Sequence, residues 1–306
     1  MSKRVYKSLD QRQNEWLSTI LRQRSWRQTD EFKKYVYQFT EDVCDRTTIP
    51  YLVRKSFVNP IESFNPYRHE GHDIAQRILT HLIENKSLDY ERTFSIDTTV
   101  YIINRLFRMH QDVVELVWIE LTTPHTKNHK MDGLFKVIKT KQSQAVILFE
   151  FSYGRRAPES KEDGDEVKLC RNSMRILNNL LQNVPKNIAR VYLVQSANGL
   201  IKIKYLVRPL PSIYILQTFT VIKIPVSFDD FEQSAKIMVD LMNLQADVLS
   251  TIKAMNKVVI RPNYINITSV HNTPEKNKKV EQPSPPKSPC PGESPLELPS
   301  LTFKSY

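Results

Sequence analysis

Met131-Asp132-Gly133-Leu134-Phe135-Lys136-Val137 and, one short connection later, Val146-Ile147-Leu148-Phe149-Glu150-Phe151-Ser152 are the stretches on which the fold turns. Both read as strands, alternating in part or running apolar throughout. Each carries one carboxylate where a buried strand rarely tolerates one. The polar turn Lys141-Gln142-Ser143-Gln144 between them predicts an antiparallel pair. Pairing brings Asp132 and Glu150 toward the same end of one sheet face. Two carboxylates converging there suit a hard, oxygen-preferring divalent cation such as Mg2+ or Mn2+.

Outward from this hairpin, apolar spacing predicts helices over residues 10–45, His72–Glu84 and Asp97–His110, then a first core strand over Glu115–Leu121. Thr29-Asp30-Glu31 starts the second of the N-terminal helices, its acids suiting the positive end. Pro50, Pro60 and Pro66 predict loop over residues 46–68. After the hairpin come a polar loop over Tyr153–Asp165 and a helix from about Asp163 to Val184. Strands follow at Arg190–Gln195, Leu200–Val207 and Tyr214–Ile224, the first two joined by the turn signal Ala197-Asn198-Gly199. Ser227, Asp229 and Asp230 precede a long helix running through Phe231, Met238, Met242, Val248 and Ile252.

This order of helix, three strands, helix and strand resembles the PD-(D/E)XK nuclease superfamily over roughly residues 70–225. Asp132 matches the superfamily aspartate and Glu150 its glutamate. Met131 stands in place of the proline before the aspartate, and Ser152 stands where the lysine belongs. The portion Lys168–Ile252 is also similar to a group of uncharacterised fungal proteins with a nuclease-like domain. The resemblance implies an α/β fold with a restriction-endonuclease-like αβββαβ core. It also implies a metal held by Asp132, Glu150 and an acid of the first helix, for which Glu84 is the first choice and Asp73 and Asp112 compete.

The same resemblance implies that a lysine from the following helix replaces the missing one. Lys168 is the natural substitute, with Arg171 and Arg175 at i+3 and i+7 on nearly the same face. Lys136, on the Asp132 face of its strand, is a second option. Arg155 and Arg156, directly after the third strand, are placed to contact phosphate. Two functions are then open. One is a Mg2+- or Mn2+-dependent nuclease that hydrolyses phosphodiesters with Lys168 as the migrated lysine. The other, which Ser152 favours, is a catalytically degenerate module that binds nucleic acid or protein without cutting.

Composition narrows the classes. With 306 residues and 40% hydrophobic content the chain can bury a sizeable core, and only 6 glycines exclude collagen-like and glycine-rich sequences. There is no G-x-G or G-K-[ST] phosphate loop and no G-x-S-x-G elbow. His125/His129 and His69/His72 lack a partnering cysteine, which argues against zinc. The three cysteines are odd in number and far apart, so an intracellular location, cytoplasmic or nuclear, is expected. No secretory leader is evident at the N-terminus and no apolar run suits a membrane span. Net charge is +11, with 12 basic against 7 acidic residues in 1–60 and 13 against 7 in 121–200. Such a balance is compatible with a polyanionic partner, DNA or RNA.

Three regions are expected: a helical N-terminal region over 1–68, the nuclease-like domain over 69–261 and a disordered tail over 262–306. The tail is rich in Pro, Ser, Lys and Glu, and such a composition cannot bury enough apolar surface to form a core.

Overall fold

A computed structural model describes residues 30–42, 66–84, 91–121, 129–138, 144–152, 159–182, 184–225 and 230–259, with a few isolated positions besides. The expected tail, the hairpin turn before Gln144, and Arg155 and Arg156 lie outside the described residues. The described elements run α1 (Asp30–Glu41), α2 (Pro66–Glu84), α3 (Glu91–Ser95), a π-helical turn (Ile96–Val100), α4 (Tyr101–Leu106), β1 (Val114–Leu121), β2 (Met131–Val137) and β3 (Gln144–Phe151). They continue with α5 (Glu159–Leu180), β4 (Val191–Ala197), β5 (Leu200–Leu210), β6 (Ile213–Lys223) and α6 (Ser234–Val259). The molecule is a mixed α/β structure.

The six strands form one sheet in sequence order, antiparallel everywhere except between β3 and β4. Two parallel neighbours need a long crossover, and α5 supplies it. β3 and β4 lie at the centre, which explains their continuous apolar runs: every β4 residue is buried, and every β3 residue except Phe151. Strand alternation assigns the two faces. Gln195 of β4 donates to the Glu162 carbonyl of α5, whereas Tyr192, three residues earlier, donates to Asp247 of α6. Helix α5 therefore covers one face and α6 the other. Beyond α6, Phe32, Val36 and Phe39 of α1 join Ile78 and Leu79 of α2 and Met238 and Leu241 of α6 in one hydrophobic core.

Local chemistry explains several element boundaries. Asn198 and Gly199 have φ of 55° and 74°, the two positive values a type I′ hairpin turn demands, so β4 and β5 are joined by a two-residue turn. Pro66 does not break the chain as the loop expectation had it; it opens α2, where its missing N–H costs nothing. Helix α5 begins at Glu159 rather than near Asp163, directly after Pro158, with Glu159 and Glu162 at its positive end. Lys168 is consequently the tenth residue of this helix and not part of its first turn. The single helix expected over Asp97–His110 is instead a π-helical turn, the short α4 and a 3-10 turn at Arg108–His110.

Candidate active site

Asp132 and Glu150 come together through strand register. In the β2–β3 pair Gly133 lies opposite Phe149, so one step outward Asp132 lies opposite Glu150, and antiparallel partners share a face. The Asp132 carboxylate is anchored, its Oδ2 accepting from the Phe151 backbone N–H at 2.7 Å. Gly133 has a steric reason to be glycine. A Cβ there would meet Trp118 Cε3 at 2.5 Å and Phe149 Cδ2 at 3.1 Å, because the indole lies flat across this point of β2. Trp118 is fixed in turn by its Nε1–H donating to Asn104 Oδ1 at 3.2 Å and by packing on Phe149 and Phe151. A register irregularity in β1 follows directly after Trp118.

Lys168 reaches Glu150 from α5. Its Nζ donates to Oε2 at 2.9 Å and lies 2.7 Å from Oε1, an oxygen that no donor meets in hydrogen-bonding alignment. The glutamate side chain is 3% exposed and the lysine 34%, so the pair is sealed at the acid and open at the cation. Burial pushes the Glu150 carboxyl from its ordinary 4.5 up to about 8; the hydrogen bond from Lys168 opposes the rise, while the charges of Asp132 and Asp165 add to it. Burial thus favours the protonated form of this acid.

Ser152, in the position of the absent lysine, is fully buried. Its Oγ accepts from Gln195 Nε2 at 3.0 Å, and the same amide donates to the Glu162 carbonyl at 2.8 Å. Gln195 is the residue of β4 in register with Glu150, so β4 fills the space that a lysine at 152 would enter. The cation arrives from the helix above instead of from the strand.

The other expected site residues separate. Glu84 is the exposed last residue of α2, a helix that packs on α1, α4 and α6, and it is not among the charges acting on Glu150. Asp165 takes that place, three residues before Lys168. The D-x-x-K spacing within the expected helix carried that signal. Asp73 instead pairs with Arg77, and Asp112 is exposed in the turn before β1. Lys136 sits on β2 opposite Ala145, beyond a register irregularity from the acid pair. Arg171 is exposed, and Arg175 turns back to Asn172 Oδ1 at 3.4 Å. Asn172 itself is buried, with its Nδ2 against Met131 Sδ at 3.1 Å, which fastens α5 over the start of β2.

Among the described residues no group of three or more His, Cys, Asp and Glu side chains is placed to hold a metal. What the site offers is a pair of carboxylates with one buried oxygen lacking an aligned donor. That number fits Mg2+ or Mn2+, which retain several waters and take one or two protein carboxylates. Binding would have to displace the proton that burial holds on Glu150. Among the described residues no helix is long and apolar enough to cross a membrane. No protein-family model, curated protein or solved structure matches the chain.

Proposed function

We propose that the chain carries a phosphodiester-cleaving site of nuclease type, acting on nucleic acid. In it Asp132 and Glu150 hold a divalent cation and Lys168 supplies the positive charge that Ser152 does not. The observation that carries this reading is the Lys168 ammonium, 2.7 Å from Glu150 Oε1 and on the sheet face that Asp132 shares. The strand order and the single parallel pair bridged by α5 support a restriction-endonuclease-like core. A bound cation would neutralise the scissile phosphate and acidify the attacking water. Lys168 would donate to a phosphate oxygen as negative charge grows on it, a stabilisation worth most in a partly dehydrated cleft. Asp132, held by the Phe151 N–H, orients without moving. Deprotonation of Glu150 couples the site to pH.

A second reading, nucleic-acid or protein binding without cleavage, is favoured by the filled space around Ser152 and by the protonated state of Glu150. The deciding experiment is a cleavage assay of the full chain on single- and double-stranded DNA and RNA with Mg2+ or Mn2+, beside Asp132→Ala and Lys168→Ala. Cutting by the wild type that both substitutions abolish supports the enzyme. Binding without cutting under every condition supports the silent module.

A further inference from the structure

On the α6 side of the sheet a cavity of about 280 Å3 opens between α2 and the 3-10 turn at Arg108–His110. Its walls carry Arg77, Arg105 and Arg108 together with Glu70, Asp73 and Ile74. The surrounding block is acidic by count, 6 basic against 10 acidic residues over 61–120, so three arginines lining one cavity run against the local composition.

The charges are not equally committed. Arg77 is neutralised, its Nε donating to both Asp73 oxygens at 2.9 and 3.0 Å. Glu70 is turned to the protein, its Oε1 accepting from Gln245 Nε2 at 3.0 Å and lying 3.1 Å from His110 Nε2. Arg105 and Arg108, one helical turn apart, have no carboxylate partner among the described residues. Arg105 is nevertheless held in place. Its guanidinium lies 5.4 Å over the Tyr101 ring, and that ring is stacked at 3.5 Å on His81, which meets the Asp97 carbonyl of the π-helical turn. A guanidinium held by a ring rather than by a carboxylate keeps its N–H groups available for an anion.

We propose that this cavity is a binding site for a phosphate monoester group, held by Arg105 and Arg108 with Arg77 behind them. A planar carboxylate is satisfied by one bidentate fork, whereas a tetrahedral phosphate presents oxygens to several forks from different directions. Two uncommitted guanidiniums and a third beside them fit the tetrahedral ion. The site stands apart from the Asp132/Glu150 pair, which lies on the α5 face, and does not depend on that pair being catalytic.

The test is titration of the full chain with inorganic phosphate by calorimetry, comparing wild type, the double variant Arg105→Gln/Arg108→Gln, and the single variants Arg108→Gln and Arg105→Lys. Saturable binding with Kd of about 1 mM or tighter is expected for the wild type. The double variant should bind at least about tenfold more weakly, and Arg105→Lys, which keeps charge but loses the fork, several-fold more weakly. Arg108 is exposed, so its single variant should fold normally and give a readout if the double one does not. Displacement of phosphate by a 5′-phosphorylated oligonucleotide but not by its 5′-hydroxyl counterpart would make a nucleic-acid end the source of the group. Failure of both to displace would make it a small phosphate compound. Absence of saturable binding or undiminished binding by the double variant would each overturn the proposal.

Discussion

On the α6 side of β4, Arg190 donates to Asp247 Oδ2 at 3.1 Å, Tyr192 donates to the same oxygen at 2.7 Å, and Arg190 lies over the Tyr205 ring. On the α5 side of the neighbouring β3, Lys168 meets Glu150 beside Asp132. Both are acid–base pairs at the centre of the same sheet, and in both the acid is buried. They differ in the cation. Arg190 is 3% exposed and cannot leave; Lys168 is 34% exposed and stands on a flexible stem. The sealed pair fixes α6 against the sheet, because a buried charge that loses its partner is strongly penalised. The half-open pair leaves its lysine within reach of solvent, which the proposed metal and phosphate contacts would require. Accessibility of the cation, more than depth of the acid, separates architecture from a site.

Four substitutions can break or sharpen that comparison. The largest effect is expected at the sealed pair: Asp247→Ala takes the carboxylate from the buried Arg190 and should cost about 3–5 kcal/mol, read as a lower denaturation midpoint. A loss below about 1 kcal/mol would mean the pair is not structural. Next comes Gly133→Ala, which drives a methyl into the Trp118 ring; overpacking of this kind costs roughly 1–3 kcal/mol and should displace Asp132, lowering divalent-ion affinity as well.

The pH dependence of Glu150 follows. Its carboxyl titrates near 8 in the folded chain against 4.5 when unfolded, so between those values the folded state binds more protons. Stability from this group is therefore fully present below about pH 4.5 and is lost as pH rises through 8, with a slope of at most ~1.4 kcal/mol per pH unit. Glu150→Gln should flatten that part of the stability–pH curve, measured by denaturant unfolding from pH 5 to 9; an unchanged curve would reassign the slope. The smallest change in stability belongs to Lys168→Ala, within about 0.5 kcal/mol near neutral pH because the lysine is a third exposed. The same variant should remove all cleavage if the wild type cuts. A large loss of stability would move Lys168 to the architectural class.

The acid pair was legible because it rests on local rules. Alternation, a short polar connection and opposite strand direction fix which residues of β2 and β3 face each other before any distant contact is made. The Asn198-Gly199 turn was legible for the same reason, since positive φ is a property of those residues. Lys168 was singled out by the resemblance and not by spacing alone, and its helix starts at Glu159, four residues before the expected Asp163, with open space around Gly164. The role of Gln195 was hidden. It looks like an ordinary strand residue until the parallel register sets it beside Glu150 and over Ser152.

By itself the sequence determined a mixed α/β chain, the antiparallel hairpin and the convergence of Asp132 with Glu150, because backbone geometry propagates these choices from neighbour to neighbour. Tertiary structure alone decided which buried acid is sealed and which stays reachable. Arg190 and Asp247 are 57 residues apart, Ser152 and Gln195 43, and Glu150 and Lys168 18. Burial, and with it the raised pKa of Glu150, depends on what α5, β4 and α6 pack around each group. No stretch of sequence carries that, because desolvation is a property of the surroundings rather than of the residue.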